Sequence, residues 1–418
     1  MKRQVVVTGI GAVTPIGCGS RGLYLGLRRE RSAVDRITRF DASPFASQIA
    51  AEVREFDPTL YLDGKRLRRL DRYSQFAVAC ARMALEDAAL RPEDEDRDRI
   101  GCFIGSALGG AAFAEEQHTV FLAQGVKRIK PALALSVFCG AASCNIAIEF
   151  DLRGPSSANS DSCASGTIAI GEAFRAVRDG YADVMLAGGV EAPLAPLTFG
   201  AFDVIRAMST RNDDPARACR PFDRQRDGFV MAEGAAVLVL EDLEHARRRG
   251  ASPYGSLLGY GTSNDAYHMT APLPSGAQAA RAMREALQEA GVAPEAVGYI
   301  NAHASSTPLN DVVETQAIKQ VFGPQAYRIP TSGTKAMHGH ALGASGAIEA
   351  AVCLLALRYG YLPPTVNLED PDPACDLDYI PGTGRESPVR YVLSNSFGFG
   401  GINACLVFGP PDPSTFGL

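Results

Sequence analysis

A chain of 418 residues with 46% hydrophobic and 21% charged residues holds enough apolar material for a sizeable core, which excludes a disordered or fibrous protein. Its formal net charge of −6 argues against a general nucleic-acid binder, which is normally basic. No apolar run is expected to reach the roughly 18 residues that span a membrane, and Val5-Val6-Val7 is too short for a signal peptide, so a cytoplasmic protein is expected.

In chain order, Val5 to Gly11 reads as a buried strand ending in a Gly-rich turn. Gly9-x-Gly11 is not followed by a third glycine opening a helix, so the dinucleotide fingerprint fails. Residues 73 to 90 read as an alanine-rich helix ending before Pro92, and 93 to 99 as a charged surface loop. Cys102 to Gly105 is a short strand leading into the small-residue loop Ser106-Ala107-Leu108-Gly109-Gly110. Residues 163 to 180 look helical and stop at Gly180. Val184 to Ala187, stopped by Gly188-Gly189, and Val237 to Leu240 read as strands. Residues 277 to 290 and 345 to 357 read as helices, and Gly298 to Ala302 as a strand running into a turn. Val392-Leu393-Ser394 and Ala404 to Phe408 flank a Gly-rich loop as strands. This alternation implies a layered α/β fold, with a seam near Gly250 and no evident sequence repeat.

None of the ten cysteines sits in a Cys-x-x-Cys pair, so zinc and thioredoxin-type readings are weak. Cys163 differs from the others in its setting. Ser160-Asp161-Ser162-Cys163-Ala164-Ser165-Gly166 places it among small residues at a helix start. A helix N-terminus favours a thiolate by about 0.3 to 2 kcal/mol, which moves a thiol pKa from about 8.5 toward 7. His303 lies at a strand end in Asn301-Ala302-His303-Ala304-Ser305-Ser306-Thr307-Pro308. Lys335 and His340 lie in Gly333-Thr334-Lys335-Ala336-Met337-His338-Gly339-His340. His338 and His340 alone make a poor zinc site without cysteine or carboxylate help. A Cys with two His, each at an element end, fits nucleophilic catalysis assembled from several loops. Two imidazole donors suit the oxyanion of an enolate, and such donors are each worth about 3 to 4 kcal/mol.

These motifs resemble the β-ketoacyl-acyl-carrier-protein synthases of the KAS I/KAS II branch, from Val5 to Phe408. The resemblance also rests on Asp265-Ala266-Tyr267-His268-Met269-Thr270, Ser209-Thr210-Arg211-Asn212-Asp213, Arg220-Pro221-Phe222-Asp223 and Asn395-Ser396-Phe397-Gly398-Phe399-Gly400-Gly401. The KAS III branch has Asn where His340 stands. Thiolases use a second cysteine in a C-terminal glycine loop, whereas Cys405 lies in an apolar strand pattern. The resemblance implies a thiolase fold, a five-layer αβαβα sandwich of two similar halves, here divided as 1–250 and 251–418. It implies fatty-acid elongation with no organic cofactor. Cys163 carries the acyl chain, the backbone N–H groups of Cys163 and Phe399 form an oxyanion hole, and His303 and His340 hold the malonyl thioester. Lys335, paired with Glu314, organises the site.

By the same resemblance Ser305 and Thr307 bond the pantetheine arm, and His268, Thr270 and Phe397 bind substrate. Phe399 gates an acyl pocket lined by Leu108, Pro193, Thr198 and Phe202. Lys65, Arg66, Arg68, Arg69, Lys127, Arg128 and Arg206 match a docking patch for acidic acyl-carrier protein. Asn301, Glu349, Ser394 and Asn395 match a structural monovalent-cation site. A homodimer is implied. Ala107-Leu108 and Val137-Phe138-Cys139-Gly140-Ala141-Ala142 depart from the family's fatty-acid pattern. Those departures suit the alternative of a type II polyketide or polyene ketosynthase, in a heterodimer with a chain-length-factor-like subunit.

Overall fold

The computed structural model describes residues 2–411, so the outer limits placed at 1 and 418 lie outside the described residues. Its principal strands are β1 (Val5–Thr14), β2 (Ile100–Gly105), β3 (Ser156–Asn159), β4 (Val184–Glu191), β5 (Gly234–Asp242), β6 (Gly255–Asn264), β7 (Val297–Asn301), β8 (Thr331–Ser332), β9 (Tyr391–Gly398) and β10 (Ile402–Gly409). They run in space as β3-β2-β4-β5-β1, then β6-β10-β9-β7-β8. β1 meets β6 only over Val5–Val7, so two five-stranded leaves share an edge.

Both leaves obey one rule. β2 is parallel to β3 and β4, while β4, β5 and β1 are antiparallel neighbours. Likewise β7 is parallel to β8 and β9, while β9, β10 and β6 are antiparallel neighbours. The topology therefore repeats where no sequence repeat is evident.

The principal helices are α1 (Arg72–Asp87), α2 (Ala111–Gln124), α3 (Ala141–Phe150), α4 (Ser165–Arg178), α5 (Pro196–Val204), α6 (Ala277–Ala290), α7 (Asn310–Phe322) and α8 (Ser345–Tyr359). α1 and α3 cover the first leaf, α6 and α7 the second, and α4 packs against α8 between them. The result is the five-layer αβαβα sandwich.

Two expectations are corrected here. Leu342–Tyr359 does have the length and mean hydropathy, 1.4, of a membrane span, but 83% of it is buried inside the protein. An all-round apolar helix belongs to the centre of a large fold, which is where α8 lies. Gly9 and Gly11 do not end a strand, because β1 continues to Thr14. A Cβ on Gly9 would lie 2.1 Å from the Ala84 carbonyl oxygen, and one on Gly11 1.9 Å from that of Cys80. The glycines let α1 lie directly on the strand. Gly259 and Gly261 repeat this under α6, each 2.1 Å from a helix carbonyl oxygen.

Candidate active site

The loops that leave the C-terminal ends of the parallel strands converge, as the crevice rule for open α/β sheets leads one to expect. β3 leads to Cys163, β7 to His303, β8 to Lys335 and His340, and β9 to Phe399. Cys163, His303, His340, Phe397 and Phe399 line one cavity of about 320 Å³, together with Phe202, Arg206, His268, Thr270, Ser305 and Thr307. A second cavity of about 150 Å³ is lined by Ala107, Leu108, Ser160, Ser162, Cys163, Phe202, Leu342 and Phe399. The thiol therefore stands where the two spaces meet, beside the offset Phe202 and Phe399 rings, whose centroids are 6.4 Å apart.

Cys163 sits in a tight turn, Ser162–Ala164, before α4. Ser162 takes a left-handed φ of 54°, a conformation that costs a non-glycine residue roughly 1–2 kcal/mol. The expected lowering of the thiol pKa is not found. Burial pushes the Cys163 thiol up, and this outweighs the Ser162 hydroxyl, the Lys335 charge and the Phe399 backbone N–H, which pull it down. Only 7% of the residue is exposed, and α4 itself begins two residues later.

Both imidazoles are buried, and burial, followed by the Lys335 charge, drives each pKa well below the usual histidine range. Both are therefore neutral at physiological pH. Their partners assign the tautomers. Lys335 Nζ lies 3.4 Å from His303 Nδ1, and an ammonium only donates, so the His303 proton sits on Nε2. The Ser345 hydroxyl lies 2.8 Å from His340 Nδ1 and serves His340 in the same way when it donates. The rings stand 5.4 Å apart at 80°.

The pairing of Lys335 with Glu314 is corrected. Lys335 forms its buried ion pair with Glu349, and it also donates to the His303 carbonyl at 2.6 Å. Glu314 instead accepts the His303 and Ala304 backbone N–H groups, both at 2.8 Å, and the Asn395 amide at 3.1 Å. Burial raises both carboxyl groups to about 7. Glu314 thus holds the His303 turn by its backbone, in which Ala304 takes a φ of 45°.

Two further expectations fail. Pro193 and Thr198 line neither cavity. Pro193 is buried, and the Thr198 N–H and hydroxyl both donate to Glu115 on α2. His338 stays out of the cavity, bonded to Thr334 Oγ1, and burial lowers its pKa to about 3. Of the cation candidates, Asn301 Oδ1, Glu349 Oε2 and Ser394 Oγ are buried without a hydrogen-bond partner. Asn301 and Ser394 are direct partners across β7 and β9. Three orphaned oxygens fit a hard monovalent cation, whereas the Asn395 side chain is engaged by Glu314 and Cys405. Lys65, Arg68, Arg69, Lys127, Arg128 and Arg206 are exposed, and Arg66 pairs with Glu149. Leu342 lines both cavities, Ser345 bonds the His340 ring and Glu191 holds Ala107 and Leu108, yet no motif marks these three in the sequence, where Ser345 reads as an ordinary helix start.

A buried Cys-His-His cluster at the strand ends of a doubled αβαβα sandwich defines a condensing enzyme of the thiolase fold. The chain belongs to the β-ketoacyl synthase family: the family's N-terminal domain matches residues 2–246 and its C-terminal domain residues 254–369. It is 49% identical to a 3-oxoacyl-[acyl-carrier-protein] synthase 2 of Synechocystis, over 97% of this chain and 98% of the relative. The enzymes of that name from Coxiella burnetii and Staphylococcus aureus are 47% and 43% identical over the same shares. Among solved structures, a type II polyketide acyl-carrier protein in complex with its ketosynthase bound to the hexaketide superposes with a TM-score of 0.91 at 39% identity, covering 98% of this chain and all of that one. The ishigamide ketosynthase/chain length factor gives 0.91 at 37% identity with the same coverage. The chain is an acyl-transferring, condensing enzyme of the 3-oxoacyl-synthase type.

Proposed function

We propose that this enzyme elongates fatty acyl chains by decarboxylative Claisen condensation of malonyl-acyl-carrier protein with an acyl group held on Cys163. The observation that carries the reading is the neutral histidine pair, each Nδ1 engaged from behind, sharing a cavity with Cys163. The Cys163 thiolate attacks the primer thioester and expels the carrier thiol, with the Cys163 and Phe399 N–H groups facing the carbonyl oxygen. The Nε2–H groups of His303 and His340 then hold the malonyl thioester carbonyl. Loss of CO₂ leaves an enolate whose carbon attacks acyl-Cys163, and the thiolate departs. Donors placed where charge develops supply most of such an acceleration. Lys335 and Glu314 position His303, Ser305 and Thr307 bond the pantetheine arm, and Leu108 and Phe202 wall the acyl space. A monovalent cation held by Asn301, Glu349 and Ser394 would brace the base of this site.

The carrier docks on Lys65, Arg68, Arg69, Lys127, Arg128 and Arg206. The reading is supported by their exposure on a chain of net charge −6 and by Arg206 at the cavity. The dimeric reading is supported by β3, whose outer edge has no partner among the described residues. Division at 250/251 is supported by the repeated strand order, and a cytoplasmic site by ten cysteines that are all free thiols, the state a reducing compartment keeps.

The test incubates purified enzyme with saturated acyl-carrier primers and malonyl-carrier protein. Acyl-Cys163 by intact mass and a product two carbons longer are expected. Failure of any primer to load Cys163 overturns the reading. Turnover only with an added partner subunit replaces it with the polyketide alternative.

A further inference from the structure

The repeat in the fold sets two equivalent turns facing each other. Cys163-Ala164-Ser165-Gly166 opens α4, and Gly343-Ala344-Ser345-Gly346 opens α8. Each turn is preceded by a left-handed residue, Ser162 at φ 54° and Leu342 at φ 41°. Gly343 thus holds, in the second half, the place that Cys163 holds in the first. The strands that flank them correspond as well. β4 and β9 are both eight residues long, so Glu191 at the end of β4 matches Gly398 at the end of β9. Gly398 lies against the Cys163 backbone nitrogen: a Cβ there would sit 3.1 Å from it. Across the pseudo-axis, Glu191 lies against the Gly343 nitrogen.

The carboxylate fills that second pocket completely. Glu191 Oε2 accepts the Ala107 N–H at 2.7 Å and the Gly343 N–H at 3.0 Å. Oε1 accepts the Ser106 hydroxyl at 3.0 Å and the Leu108 N–H at 3.1 Å. Two donors on each oxygen use all four acceptor sites of a carboxylate. Glu191 is fully buried. Burial pushes its pKa up to about 7, and these same four bonds pull it down. The half of the fold without a nucleophile therefore keeps its anion-binding N–H groups and satisfies them with an internal anion.

The segments it joins are walls of the reaction space. Ala107 and Leu108 line the smaller cavity beside Cys163, and Leu342, next to Gly343, lines both cavities. His340 is anchored independently, by its N–H to the Val230 carbonyl and by Ser345 on its ring.

We propose that Glu191 is a positioning residue for acyl transfer, holding the Ala107–Leu108 wall against the Leu342–Gly343 turn so that the acyl chain finds a rigid slot beside Cys163. The proposal rests on the ketosynthase reading above. An amide cannot replace the carboxylate, because either orientation of a Gln turns its NH₂ toward two donors. The experiment uses the full-length enzyme and E191Q. It measures kcat/KM for loading of Cys163 by acyl-carrier proteins of increasing chain length. Malonyl-carrier decarboxylation is measured in C163Q and in C163Q/E191Q. The expected result is a loss in loading of at least about tenfold that grows with chain length, with decarboxylation in the double variant within about threefold of C163Q alone. Equal losses in both half-reactions would reduce Glu191 to a fold-stabilising role and overturn the proposal, as would an unchanged chain-length profile. If E191Q does not fold, Ser106→Ala removes one of the four donors, and the same chain-length-dependent loss, smaller in size, is required of it. Should the unsubstituted enzyme itself fail to load any primer, the ketosynthase reading fails first, and the two failures are thereby told apart.

Discussion

The proposed division of labour among Cys163, His303 and His340 implies different responses to pH. The imidazoles are held neutral by burial and by the Lys335 charge. Acidification to about pH 6, enough to protonate an ordinary imidazole in large part, leaves them unchanged. Malonyl decarboxylation should therefore stay flat between about pH 6 and 8. The thiol has a raised pKa, so the thiolate share at a given pH is smaller and climbs as pH rises. Alkylation of Cys163 by iodoacetamide, followed by intact mass, should accelerate about tenfold per pH unit across that range. A decarboxylation rate that falls on acidification with a midpoint near 6.5 would count against neutral imidazole donors. At the same scale, the Lys335–Glu349 pair has both charges fully buried. Removing one partner of such a pair costs about 3–5 kcal/mol, because the other is left uncompensated. Stability of K335M, E349Q and the double variant by denaturant unfolding should give a coupling of about 2–3 kcal/mol. A cycle of K335M with E314Q should give clearly less. Comparable coupling in both cycles would restore Glu314 as the partner. The sequence could not make this choice. Glu314 and Glu349 both lie on buried helix faces, and spacing along a helix does not say which lysine a carboxylate meets across the core. Cys163, His303 and His340 were legible because each ends an element and carries a motif that specifies its neighbours.

Helices and strands were easier to read where period and caps agree. The reading of α6 as 277 to 290 coincides with the structure, where Gly291 caps it in the left-handed conformation. The Gly9-x-Gly11 stretch reads as a turn although it lies within β1, because glycine in a strand signals either a turn or a close approach, and local sequence does not distinguish them. The same ambiguity hid the repeat. The two halves share strand order, glycine-on-helix contacts and a three-residue Ala-Ser-Gly turn rather than any longer run of side chains. Gly11→Ala and Gly261→Ala test this correspondence directly. In each, the new methyl carbon meets a helix carbonyl oxygen at 1.9 or 2.1 Å, and a backbone atom cannot yield as a side chain can. Each substitution should cost about 1–3 kcal/mol through displacement of α1 or α6, read as a lower unfolding midpoint in urea. A neutral effect at either site would mean that the helix moves away freely and that the glycine has no packing role there.

At the scale of the whole molecule, the two ends of the strand path differ in what they leave open. β3 pairs on one side with β2, and its residues Ser156 and Ser157 are exposed. An unpaired edge of this kind is a template for pairing unless something covers it. Beside it, Leu135, Val137, Phe138 and Ile148 are exposed on α3 and on the segment that precedes it, which includes the short helix Leu133–Ser136. Apolar side chains clustered along an open strand edge describe a surface that another chain buries. The departures at Val137-Phe138-Cys139-Gly140 fall in this same segment, so the residues that set this chain apart from the fatty-acid pattern also lie where a second subunit would sit. The acyl space is tied to that face, because the Tyr73 hydroxyl bonds the Cys139 carbonyl at 2.6 Å and Cys139 packs on Gly109, next to Leu108. Placing charges there, as Val137→Asp with Ile148→Glu, should convert a dimer into monomers in sedimentation velocity at micromolar concentration. The fold is expected to persist by circular dichroism, since both side chains are already solvent-exposed within one chain. Condensation should fall in parallel with the dimer fraction if the Leu108 wall depends on the covered face. An unsubstituted enzyme that sediments as a monomer, or a charged variant that remains dimeric, would remove this edge as the interface.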